Sequence, residues 1–239
     1  GDIQPGKCRK GAWDMINTLS GEFTEFRASY THATELGGRD TSVIKSLDAH
    51  FINHEVLNDQ PGRDDLLDFL ADTIDDPNRE IIPDTLYESD CNTLPVNQLL
   101  DVEVLSYDPV ALTAQVRATA DFENWVYIRA DDPAQAKLKI ASVVRSDGKI
   151  LNENNYWTHI RYRKPDNAKL TWLNIFDFVA LGDYTYTVTY DPPAADIAPP
   201  QTVLRFNGEV QEKDGKYYVL RDTQMYFTVE DDSPVGTYY

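Results

Sequence analysis

The sequence predicts an α+β chain, with a helical N-terminal region over residues 1–95 followed by an antiparallel β-sandwich. Apolar residues recur three or four apart up to about residue 95, and two apart beyond it. The second region is also punctuated at short intervals by turn pairs, among them Asp147-Gly148, Asn207-Gly208 and Asp214-Gly215.

The first helix is predicted from Trp13, Ile16, Leu19, Phe23, Phe26 and Tyr30, which fall on one helical face. Gly37-Gly38 ends it, and Asp40 or Thr41 caps a second helix through Val43, Ile44, Leu47 and Phe51. A third is expected over Arg63 to Ile74. The Pro61-Gly62 turn precedes it, Asp64 and Asp65 lie in its first turn, and Leu66, Leu67, Phe69 and Leu70 form its buried side. Residues 75–95 read as a loop broken by Pro77, Pro83 and Pro95.

Seven strands follow, over residues 102–107, 111–120, 124–129, 137–145, 156–163, 170–178 and 181–190. Their Val, Thr and Tyr content suits half-buried pleated surfaces. Pro192-Pro193 closes this set. Residues 202–206, 216–220 and 223–229 form further strands. The expected division is a helical region over 1–95, a sandwich over 96–192, and a strand-bearing segment over 193–239.

The chain carries 40 acidic against 22 basic side chains, a formal charge of -18. That balance disfavours nucleic acid and anionic lipid as partners and attracts cations such as calcium. No apolar run reaches the ~18 residues of a membrane span, so membrane insertion is not expected. Cys8 and Cys91 have no second thiol nearby in sequence, which excludes a CxxC motif. They are compatible with one disulfide or with two free buried thiols.

LTWLNIFDFVALGDYTYTVTYDPP, residues 170–193, resembles the end of bacterial immunoglobulin-like modules of secreted and surface proteins. There an apolar strand leads through a leucine and a glycine turn into a tyrosine-rich strand. Tyr184 or Tyr186 is then expected to bury its ring and return its hydroxyl to backbone, as a tyrosine corner does. Pro199-Pro200, Thr202, Tyr218, Thr223, Phe227, Asp231, Ser233, Val235 and Tyr238 are similar to the opening of a further repeat, possible only in part before residue 239. The resemblance implies an extracellular, cell-surface or periplasmic location. It also implies non-catalytic adhesion, binding or scaffolding within a larger modular protein, with a protein or glycan partner.

A second resemblance covers residues 10–164. VIKSLDAHFINHEVLNDQPGRDDLLDFLADTI and RSDGKILNENNYW are similar to SnoaL-type members of the NTF2-like fold. That alternative implies helices on the concave side of a curved sheet and a pocket for a small apolar molecule, with His54 and Trp157 beside it. A third alternative is an accessory domain of a polysaccharide-degrading enzyme.

Catalytic signatures are absent: there is no GxSxG, no nucleotide-binding glycine loop and no HExxH. No cofactor is expected. Of His32, His50, His54 and His159, only His50 and His54 are spaced to share a helix face. Asp64/Asp65/Asp68, Asp131/Asp132, Asp191/Asp196 and Glu230/Asp231/Asp232 lack EF-hand spacing and read first as solvated surface. Asp191 and Asp196, beside the proline spacer, are the calcium candidates. Trp125, Trp157 and Trp172 read as packing residues before they read as a sugar-stacking platform.

Overall fold

Where the sequence analysis expects a third helix, the chain makes a turn and a β-strand. The computed structural model describes Cys8 and residues 50–74, 82–163, 168–193, 201–207, 210–219 and 224–230. Among these there is no α-helix. The predicted α+β class is therefore replaced by a nearly all-β one. The helices expected over 13–30 and 41–51 lie outside the described residues, except that Phe51 opens a strand.

Seven strands form one mixed sheet, a half-barrel. In spatial order they are β1 (Phe51–Val56), β2 (Asp68–Asp72), β3 (Thr85–Tyr87), β4 (Thr93–Leu99), β7 (Asn124–Asp131), β10 (Ala168–Val179) and β9 (Tyr156–Arg163). All neighbours are antiparallel except β4 and β7, which run parallel. The sheet runs through residue 95, because β4 spans it. A second, wholly antiparallel sheet has the order β5 (Val102–Asp108), β6 (Thr113–Ala120), β11 (Gly182–Tyr190) and β8 (Ile140–Arg145).

The two sheets face each other across one core. Val116, Ala118, Val143, Tyr186 and Val188 from the four-stranded sheet meet Val126, Ile128, Leu173 and Ile175 of β7 and β10. The other face of β7 and β10 is buried as well. There Trp125, Tyr127 and Phe176 pack beneath Val56, Leu70, Leu86 and Val96 of β1–β4. This double burial explains why NWVYIRAD and LNIFDFV read as near-continuous apolar runs. It also bears on the NTF2-like alternative, because Val102–Tyr190 builds two facing sheets.

The error over Arg63–Ile74 has a physical source. Asp68, Leu70 and Asp72 alternate into the interior while Leu66 is 61% exposed. Both buried aspartates are bonded to backbone. Asp68 accepts from the Asn58 and Ser89 amides (3.0 and 2.7 Å), and Asp72 accepts from the Ile74 amide (3.1 Å). The strand period is present, but polar residues occupy its inward positions. The predicted loop over 75–95 likewise contains β3 and the start of β4. Pro95 faces solvent within β4, and the next amide, Val96 N–H, donates to Asp84 O.

Past the proline spacer, β12 (Gln201–Asn207) pairs with β15 (Gln224–Glu230), and β13 (Val210–Lys213) pairs with β14 (Lys216–Val219). Asp214 and Gly215 both have positive φ, the conformation a tight hairpin turn requires.

Candidate functional site

The concave face of β7, β10 and β9 is set by register, since antiparallel partners share a face. Phe178 lies opposite Trp125 and Phe176 opposite Tyr127. Asn174 stands between Arg129 and Trp157, and Trp172 between Asp131 and His159. The face grades from apolar at one end to charged at the other.

At the apolar end Trp125 stacks on Phe176 (centroids 4.6 Å apart), with Phe178 edge-on at 5.4 Å. In the middle the Tyr127 hydroxyl donates to Asn174 Oδ1 (2.7 Å), and Asn174 Nδ2 donates to Trp157 O (3.2 Å). His54 faces inward from β1 beside Val56, as strand alternation requires, and stacks on Trp157 at 4.0 Å. Burial lowers the His54 pKa to about 4; the carboxylate of Glu55 opposes the shift and His159 adds to it. The ring is therefore neutral at pH 7. At the charged end the Arg129 guanidinium lies 4.6 Å from the Trp172 ring centroid, and His159 lies 5.6 Å from the same ring.

His54 and Trp157, far apart in sequence, are thus brought together. Trp125 is core, with its ring against Phe176, and Trp157 has its ring against His54. His50 stacks on Tyr87 (5.8 Å), a different ring from the one His54 meets, so the two histidines have separate partners on and beside a strand. His32 lies outside the described residues.

The acidic candidates separate in the same way. Asp68 is consumed by backbone amides. Asp64 accepts from Ser89 Oγ (3.0 Å) and the Leu66 amide (3.1 Å). Asp132 is buried, takes the Tyr190 hydroxyl at 2.7 Å, and also accepts from the Ala134 and Ala136 amides. Asp191 ends β11, where its N–H donates to Lys139 O (2.8 Å). Asp196, Asp231 and Asp232 lie outside the described residues. Among the described residues, no three or more His, Cys, Asp or Glu side chains are grouped to hold a metal ion. No helix among them is long and apolar enough to cross a membrane. Cys8 and Cys91 form a disulfide with their Cα atoms 5.5 Å apart.

Sequence reasoning missed a charged cluster between the sheets. Asp177 is fully buried and accepts from Arg145 Nη1 (2.8 Å), Lys149 Nζ (2.8 Å) and the Tyr186 hydroxyl (3.0 Å). Lys149 also pairs with Asp59 (2.9 Å), and Arg145 with Asp147 (2.7 Å). The hydrogen bond from Arg145 holds the Asp147 carboxyl down at about 2. Burial pushes the Tyr186 hydroxyl up, and the Asp177 charge adds to the shift. The signal was a lone acid inside an apolar strand, NIFDFV, which cannot be buried without cations to meet it. The two parts of the tyrosine expectation fall on different residues: Tyr186 is the one fully buried, with its hydroxyl on Asp177, while Tyr184 is half-buried. Tyr184 is the residue that returns its hydroxyl to backbone, donating to Ala180 O (3.0 Å) and accepting from Ala180 N–H (3.1 Å).

No family model matches the chain, and no curated protein or solved structure matches it.

Proposed function

We propose that this chain is a non-catalytic binding module, Ig-like in character, which acts at a cell surface or outside the cell and engages a protein or glycan partner. The observation that carries the reading is the use made of its buried carboxylates. Asp177, Asp132 and Asp68 accept three, three and two hydrogen bonds, which join separate strands and loops. A carboxylate held in that way is fixed in place and serves as a strut between segments. The Tyr184 contact with Ala180 supports the Ig-like comparison, and the Cys8–Cys91 bridge lends weak support to an oxidising compartment.

The test has two arms. Purified protein is applied to immobilised cell-surface polysaccharides and surface proteins, and in parallel incubated with ester, glycoside and phosphate substrates. Saturable retention without turnover is expected. Turnover that disappears in His54→Ala would replace the reading with an enzymatic one, and absence of retention on every surface would remove the binding role.

A further inference from the structure

We infer that the free edge of the four-stranded sheet, strand β5, is a docking edge that takes an extended, basic segment of a partner protein as an added strand. This rests on the binding-module reading, and it names the surface and the partner chemistry that reading leaves open.

The two edges of this sheet are finished differently. At the β8 edge, residues 149–151 fold back along the strand. The Arg145 N–H donates to Lys149 O (2.8 Å), the Leu151 N–H donates to Val143 O (3.0 Å), and Ile150 pairs with Val144. Along β5, by contrast, no second strand lies among the described residues. An edge strand turns part of its backbone N–H and C=O groups outward, and lysine or proline within it discourages pairing. The β5 sequence, VEVLSYD, contains neither, and its Val and Tyr residues favour a strand neighbour.

The side chains along this edge point to the occupant. Leu100, Leu105 and Val110 are 86%, 47% and 90% exposed, and they lie in β5 and the turns on either side of it. An added strand would cover apolar groups that the fold leaves in water. Charge there is one-sided. Between residues 100 and 123 the acids Asp101, Glu103, Asp108, Asp121 and Glu123 are all exposed, and Arg117 is the one base. Arg117 pairs with Asp101 (3.5 Å) and Glu103 (3.0 Å), which leaves the net charge of this stretch negative. Lysine or arginine on an incoming strand would meet that field favourably. The register shift between Val104 and Ser106 disfavours a second copy of this chain as the occupant. A bulge bends and twists an edge against long, flat pairing, and two copies would also set the same acids against each other. A short basic strand can pair to one side of the bulge and meets no like charge.

The experiment follows the fluorescence anisotropy of a labelled peptide, alternating lysine and valine over the 7 residues of β5's length, as the full chain is added. Binding is expected, with an affinity that falls as salt is raised. Two control peptides should bind at least about tenfold more weakly. One carries glutamate in place of lysine. The other is N-methylated at alternate backbone amides, which keeps its charge and side chains but removes its ladder donors. Leu105→Lys, with an unchanged melting temperature, should weaken binding of the lysine–valine peptide by a similar factor. Ile74→Lys, at another exposed apolar position, should not. Hydrogen exchange of the wild-type chain should slow over residues 102–108 when the peptide is bound. No binding of the lysine–valine peptide, equal binding of the N-methylated one, or slowing confined to other residues overturns strand addition at β5. Equal binding of the glutamate peptide overturns the basic partner, and so does a dimer of the chain that Leu105→Lys dissociates. If a surface that retains the wild-type chain retains Leu105→Lys equally well, the docking edge falls while the binding module stands. If the chain is retained nowhere, both fall.

Discussion

The Asn155 side chain accepts from the Leu57 N–H (2.8 Å) and donates to the Leu57 carbonyl (2.9 Å), so one amide does the work of a paired residue. Leu57 follows β1 and Asn155 precedes β9, the two end strands of the half-barrel, and the bracket holds those ends together. Asn155→Leu is expected to cost about 2 kcal/mol, from two lost hydrogen bonds and two stranded backbone groups. Urea unfolding would measure it. Asn155→Asp, which keeps the acceptor and loses the donor, should fall between the two.

The Asp177 cluster makes a sharper prediction. Asp177→Asn puts a neutral group at the fully buried position that Arg145 and Lys149 share, leaving them only Asp147 and Asp59 as carboxylate partners, and should destabilise by about 3 kcal/mol. Lys149→Met should cost less, since the lysine is partly exposed and its stem can stay in place. Equal losses in the two variants would show that the carboxylate is not the hub.

Stability should also depend on His54. Its folded pKa of about 4 lies below the roughly 6.5 of an unfolded chain, so the unfolded state binds the proton first. The contribution is full above pH 6.5 and is lost as pH falls toward 4, by about 3 kcal/mol at most. Denaturation midpoints at pH 7 and pH 4.5 would test this. In His54→Phe, which keeps a ring against Trp157, the part of the pH dependence due to this residue should vanish.

Reduction of Cys8–Cys91 releases a loop closed over 83 residues. The chain-entropy model assigns about 4.5 kcal/mol to such a closure. Thermal unfolding with and without reductant should show a lower melting temperature on reduction, and mass spectrometry would confirm the bond in the starting material.

How much could be read from the sequence depended on which residues faced inward. From Val102 to Tyr190 most buried positions are aliphatic or aromatic, with Asn174 and Asp177 the polar exceptions within β10, and the predicted strands coincide with observed ones to within a few residues. In β2 the inward positions include Asp68 and Asp72, whose partners lie on other segments, so the apolar pattern pointed to a helix. His54 and Trp157 were singled out by resemblance, and their contact follows from the curl of the sheet. Arg145, Lys149 and Asp177 come from two distant stretches, and nothing local marks them as partners.

The parallel pairing of β4 with β7 has a kinetic consequence. Between them the chain leaves the half-barrel, lays down β5 and β6 in the opposite sheet, and returns. Val96 therefore cannot meet Trp125 until that excursion has been closed, and its entropy is lost before the contact repays it. Folding should be slow for a chain of this size, with the β5–β6 hairpin formed early and the half-barrel joined last.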